Sequence, residues 1–256
     1  MLEYGLHQKE DDMRTSGILM LALAVSPLVV SAATTEQECR TMPAKRIPAD
    51  IMTNSFLDAH PDLQWRSIAL AAYKKGDFAK ALHDFKRAAS YADKFSQSMV
   101  GHMYWEGQGT EVDRSLAYAW TDLSAERGYY NFLSQREIYW AQLDEQQRAD
   151  AVTRGQAVYA EYRDTVAKPR MEKVLRLHMQ KITGSRTGFI SAGLYVSPAD
   201  GPSSGQMIPG AIFYDRAYYQ PDLYWCQQDA YWSRPMNPSV EVGQPDPVPA
   251  EEHRTH

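Results

Sequence analysis

The spacing of apolar residues between positions 61 and 92 limits what this chain can fold into more than any other feature. Phe78, Ala81, Leu82, Phe85, Ala88, Ala89 and Ala92 recur at intervals of three and four, which places them on one face of an α-helix. Trp65, Ile68, Ala69, Ala72 and Tyr73 repeat the spacing one helix earlier, and Gly76-Asp77 between the two supplies a stop and the next start. The pattern predicts two amphipathic helices joined by a tight turn, a unit that needs neighbours to bury its remaining apolar surface.

A second pair follows. Residues Gln97 to Tyr104 lead into Gly107-Gln108-Gly109, and Asp113 then precedes Leu116, Ala117, Trp120, Ser124 and Ala125. The run Ser96-Gln97-Ser98-Met99-Val100-Gly101-His102-Met103-Tyr104-Trp105-Glu106-Gly107-Gln108-Gly109 resembles the Sel1-like repeat, in which Ala-Gln, an apolar residue and Gly precede Tyr-x-x-Gly-x-Gly. Asp113, Ala117, Trp120, Ala125 and Gly128 fall where that family's second helix has Asp, Ala, Trp, Ala and Gly. Ser96, Thr110 and Ser124 stand where it usually has Ala, Val and Ala. The resemblance is clearest over residues 93–128, and the shorter turn of 61–92 is closer to a tetratricopeptide unit. It implies a mainly α fold, a short α-solenoid of helix-turn-helix repeats over residues 61–165, with a surface that holds a protein or peptide partner.

The matching residues themselves suit packing. Ala117 and Ala125 permit close helix approach, Gly101 lets one backbone settle against another, and Gly107, Gly109 and Gly128 suit turns. Asp113 is expected to cap the helix starting near Arg114, and Tyr104 and Trp120 to pack between helices. Leu143-Asp144-Glu145 opens a further predicted helix with Ala149, Val152, Ala157, Val158 and Tyr162 as its apolar positions, closing the array. His102, Trp105, Arg136 and Trp140 lie on or beside first helices, away from the clearest core positions, and are the expected partner-binding residues.

The N-terminus reads as an export signal. Ile18 to Val30 is apolar apart from Ser26 and Pro27, follows Arg14, and precedes the small residues Ser31-Ala32-Ala33. It is too short, at about 1.5 Å per residue, for the roughly 30 Å hydrocarbon core of a bilayer, so no stable span is expected once it is cleaved. Met1 to Asp12 carries four acids against Lys9 alone, the wrong charge for a signal start, which points to Met13 as the true first residue. A signal over 1–33 and a linker over 34–60 follow, in a periplasmic or secreted protein. In such a compartment Cys39 and Cys226, the two cysteines of the chain, either form a disulfide or stand as unrelated thiols.

The last third changes character. Lys168, Arg170, Lys173, Arg176, Lys181 and Arg186 face one acid, Glu172, in a helix expected to start after Pro169. It reads as a solvated face paired with acids of the repeats, or as a dock for an acidic partner. Thr183 to Gly188 reads as a plain turn or, less in keeping with its sequence, an anion-wrapping loop. Phe189-Ile190, Leu194-Tyr195-Val196 and Ala211-Ile212-Phe213-Tyr214 have strand composition, predicting a small β-rich appendage within 166–233. Tyr218, Tyr219, Tyr224, Trp225, Tyr231 and Trp232 either complete its core or expose a patch for cell-wall glycan. The proline-rich stretch 234–256 reads as a disordered tail.

Function classes narrow accordingly. A formal charge of -5 gives no drive toward nucleic acid, and 44% hydrophobic residues in 256 suffice for a core. No metal helix, nucleophile elbow, dinucleotide fingerprint or paired-cysteine ligand motif occurs, so neither catalysis nor a cofactor or metal is expected. A spatial triad through His60, His83, His102 or His178 is the form an envelope hydrolase would take. The expectation is an exported interaction scaffold, with a glycan-binding module as the alternative.

Overall fold

A computed structural model describes residues 36–44, 46–183, 193–197, 205 and 207–234. The fold is mainly helical with a two-stranded sheet. The expected signal segment at 1–33, the turn and strand at 184–190 and the tail after 234 lie outside the described residues.

The segment read as a linker has structure. It contains a helical turn at 36–40, α1, a 3-10 turn at Ala49–Ile51 and α2 (Asn54–Leu57), and it buries Ile51, Phe56 and Ala59 completely. Their partners are Ile208, Phe213 and Tyr219, from the other end of the chain. Elements this short carry no helical period, and their apolar residues make sense only against a distant segment.

Next come α3 (Pro61–Lys74), α4 (Phe78–Ala89), α5 (Lys94–Glu106) and α6 (Arg114–Ser124). α3 packs against α4 and α5 against α6, with Phe85, Val100, Met103 and Leu123 fully buried between them. Aspartates start three of these helices: Asp77, Asp93 and Asp113 each accept a hydrogen bond from the backbone N–H three residues on. At Gly101 the helices meet closely, since a Cβ there would lie 2.4 Å from Thr121 Oγ1 and 3.0 Å from the Ala117 carbonyl. Gly107 ends α5 at φ 69°, a left-handed conformation that favours glycine.

After a 3-10 turn (Ala125–Arg127), α7 (Tyr130–Gln142) buries only Phe132 and Tyr139, and α8 (Glu145–Tyr162) packs on α6. The expected face of α8 is rotated. Ala151, Gly155 and Val158 point inward while Val152 is 62% exposed and Ala149 and Ala157 are exposed as well. Close approach accompanies it: Gly155 sits where a Cβ would touch the Ala119 Cβ at 3.4 Å, so α8 turns its glycine toward α6.

The basic helix, α9 (Asp164–Thr183), starts five residues before Pro169 instead of after it. The Asp164 backbone N–H donates to the Glu126 carboxylate at 3.0 Å, so a side chain far back in sequence caps this end. Ala167, Met171 and Leu175 are fully buried, packing with Tyr224 and Trp225.

The β-rich appendage is reduced to β1 (Tyr195–Val196) and β2 (Ile208–Pro209), paired antiparallel with Val196 opposite Ile208. The strand expected at 211–214 is instead α10 (Gly210–Phe213), and the aromatic run lies on α11 (Arg216–Tyr219) and α12 (Pro221–Trp232). Their burial decides the conformation: Tyr219, Tyr224, Trp225 and Trp232 dock on α2, α3, α5 and α9, and a helix presents them together where an alternating strand would not. Cys226 on α12 is bonded to Cys39 on α1, tying the two ends of the fold.

Candidate functional site

Where the N-terminal segment, α3, α5 and α12 converge they leave a pocket of about 320 Å³. The N-terminal segment supplies Arg46, Ile47 and Met52, and α3 supplies Leu63, Arg66 and Leu70. Phe95 of α5 and four residues of α12 complete it: Gln227, Gln228, Tyr231 and Trp232. A Leu or Arg at positions 63, 66 and 70 of one helix faces a common side, as the three- and four-residue spacing requires.

Two guanidinium groups occupy the walls, and among the described residues no acidic side chain does. Arg46 Nε donates to the Tyr231 hydroxyl at 2.8 Å, with its guanidinium 5.8 Å from the ring centre. Arg66 lies 5.9 Å from the Phe95 ring centre and pairs through Nη1 with Asp93 at 3.2 Å. Burial alone would weaken the Arg66 cation, but Asp93 and Asp62 hold it charged. Asp93 is itself fixed by capping α5. Phe95 stacks on Trp232 at 6.0 Å, forming the aromatic wall.

Behind the pocket, Asp62 is buried, accepts a hydrogen bond from the Tyr224 hydroxyl, and is pushed up to about 6, chiefly by burial. Nearby, His60 is wholly buried, with Nδ1 2.7 Å from the Phe56 carbonyl oxygen and Nε2 2.8 Å from that of Tyr218. Both ring nitrogens face carbonyl oxygens, so the neutral ring donates to one of them through its single N–H, and the ring stacks on Phe56 at 4.0 Å. His83 is bonded to Asp84 at 2.9 Å on the surface, and His178 stacks on Tyr219.

The residues expected to hold a partner do not form a free surface. Trp105, expected at the surface, is buried at 7% exposure and stacks on Tyr139 at 3.9 Å, with Arg114 over its other side at 4.5 Å. The three- and four-residue spacing placed it beside the core stripe, and α7, which the period of α5 says nothing about, covers it. Trp140 is half-buried between Tyr118 and Arg148. His102 Nδ1 is 3.4 Å from the Tyr139 hydroxyl, and Arg136 pairs with Glu137 and Asp122. The structure therefore brings His102, Trp105 and Trp140 into one packed cluster around Tyr139 and leaves Arg136 in a separate ion-pair group.

The aromatic residues considered for glycan stacking are mostly core: Tyr219, Tyr224, Trp225 and Trp232 are under 9% exposed. Of the repeat-motif residues, Ala117 and Trp120 are buried, and Asp113 caps α6 while taking Arg154 in a two-point ion pair. Tyr104 is half-buried and accepts a hydrogen bond from Lys86 at 2.7 Å. Gly109 lies so near Phe78 that a Cβ would sit 2.4 Å from its carbonyl oxygen, and Gly128 ends the 3-10 turn at φ 73°. Sequence reading missed Arg46, Arg66 and Phe95 as pocket residues. Their signal is weak because they come from segments that share no motif.

Neither a family model, nor a curated protein, nor a solved structure matches this chain. No helix among the described residues is long and apolar enough to cross a membrane.

Proposed function

We propose that this chain is an exported helical-repeat binding protein, and that its ligand sits in the pocket between the N-terminal segment, α3, α5 and α12. The observation that carries this reading is the pocket's composition: largely apolar walls with two arginines among the lining residues, the general character of a small-ligand or peptide-anchor site. Repeat folds of the kind this sequence resembles act by recognition. Export is supported by the apolar run at 18–30 and by the Cys39 to Cys226 bond, which persists in an oxidising compartment.

The test uses the full protein in its native host. A photo-crosslinking p-benzoylphenylalanine replaces Tyr231 at the pocket or Tyr130, which is 67% exposed on α7. The expected result is a defined adduct from position 231 that disappears when Leu70→Trp fills the pocket. Adducts from position 130 that are indifferent to Leu70→Trp would move the binding function to the repeat surface and overturn the pocket assignment.

A further inference from the structure

Resting on that pocket being the ligand seat, we propose that its ligand is an anionic amphiphile, a single carboxylate- or phosphate-type head on an unbranched apolar tail. Charge decides the head. Both charged side chains in the walls are arginines, and among the described residues no carboxylate is paired with Arg46. Arg46 is exposed and donates through Nε to Tyr231, which leaves its two terminal nitrogens with no carboxylate partner among the described residues. Arg66 is engaged by Asp93 through one nitrogen. A planar guanidinium has five donors arranged to grip a carboxylate or phosphate at two points, so each arginine keeps donors for a second anion.

The tail follows from the remaining walls. Ile47, Met52, Leu63 and Leu70 are aliphatic, and the stacked Phe95 and Trp232 add a flat apolar face. Such a surface gains from burying methylene groups, about 0.8 kcal/mol each, and offers a flexible chain the adaptable contacts that methionine makes well. A cationic amphiphile would meet two arginines, with Asp62 and Asp93 buried beside Arg66 and no acid in the walls among the described residues. A neutral one would bury the same tail while leaving Arg46 without a counter-charge among the described residues. The volume, about 320 Å³, lies at the small end for ligand sites and suits a short chain better than a folded peptide surface.

The experiment titrates the disulfide-intact protein, below the micellar concentration, with four ten-carbon probes: decanoate, decyl phosphate, decanol and decyltrimethylammonium. Calorimetry reports affinity and Trp232 contributes to a fluorescence change. Decanoate or decyl phosphate is expected to bind one-to-one at least tenfold more tightly than decanol, and decyltrimethylammonium not at all. The preference between the first two separates a fatty-acid source from a phospholipid one. Arg46→Gln, at an exposed position that holds no ion pair among the described residues, should remove most of that tenfold advantage, read as the ratio of decanoate to decanol affinity in the same variant. Arg66→Gln should narrow the same affinity ratio while lowering the melting temperature, because Asp93 and Asp62 lose their buried cation, with circular dichroism checking that α3 has not unfolded. Equal binding of decanol and decanoate, or a preference for the cation, would overturn the proposal. If the crosslink at position 231 forms but no anionic probe binds, the ligand class fails while the pocket assignment stands; if neither occurs, both fail.

Discussion

Gly101 shows how a single atom sets the distance between α5 and α6. An added Cβ would strike Thr121 Oγ1 at 2.4 Å, and that hydroxyl is itself held by its bond to the Ala117 carbonyl at 2.8 Å. Alanine normally favours a helix interior over glycine by about 1 kcal/mol, yet overpacking typically costs about 1–3 kcal/mol. Gly101→Ala is therefore predicted to lower stability by about 1 kcal/mol, with Thr121→Ala recovering part of the loss, as urea midpoints of the two single variants and the double would show. His60 and Asp62 make a second residue-scale prediction, in pH. Burial pushes the His60 imidazole from 6.5 down to about 4, so unfolding takes up a proton there and stability falls as pH drops through that window. Burial raises Asp62 from 3.8 to about 6, so unfolding releases a proton and stability falls as pH rises between those values. The two slopes oppose one another. His178, half-buried and also lowered by burial, adds to the His60 side, while Asp84 and Asp164, held below the carboxylate range by their cationic partners, act below pH 4. Asp62→Asn should unmask a stability that climbs from pH 4 to 6.5, by up to about 1.4 kcal/mol per pH unit for one proton. A flat profile in that variant would show that His60 does not titrate as its burial requires.

Helix starts were the most legible elements. Asp77, Asp113 and Asp144 each cap a helix within a residue or two of where the pattern predicted one, because an N-cap is a local bond, whereas Asp93 starts α5 ahead of the Gln97 from which the pattern read it. Asp144 adds a reciprocal bond from Gln147, completing a capping box. The start of α9 was not legible, because its cap and its anchoring charges come from elsewhere. Lys94 is fully buried and holds Glu126 at 2.7 Å and Asp164 at 3.0 Å, while Arg127 grips Asp164 at 2.7 Å and lies 4.9 Å from the Trp225 ring centre. This group joins α5, the turn after α6, α9 and α12. Removing one member of a buried ionic group strands its partners, so Asp164→Ala is predicted to destabilise by about 3–5 kcal/mol, measured by denaturant unfolding. Asp113→Ala, whose Arg154 contact is partly exposed, should cost about 1 kcal/mol through the lost cap. Reversal of that order would mean that α9 is held chiefly by its apolar face.

At the scale of the molecule, the Cys39 to Cys226 bond spans 187 residues and closes the N-terminal segment onto α12. Loop closure of that length is worth about 5 kcal/mol at most, so reduction or Cys39→Ser is predicted to lower unfolding free energy by up to that amount. Because Arg46, Ile47 and Met52 ride on the tied segment, the same change should weaken pocket binding more than it perturbs the helical signal of circular dichroism. Sequence alone determined the helical centre and its turns, since periodicity, aspartate caps and left-handed glycines act within a few residues of one another. It also left open, correctly, whether the cysteines pair and whether the late aromatics are core. Tertiary structure decided both: Tyr224 and Trp225 became core because α9 and α3 cover them, and the bond formed because the chain ends meet. It also placed Trp105 inside, turned the predicted strand at 211–214 into a helix and gathered Arg46, Arg66 and Phe95 into one pocket. These outcomes rest on contacts between residues far apart in the chain, and the energy of such contacts leaves no period or motif to read.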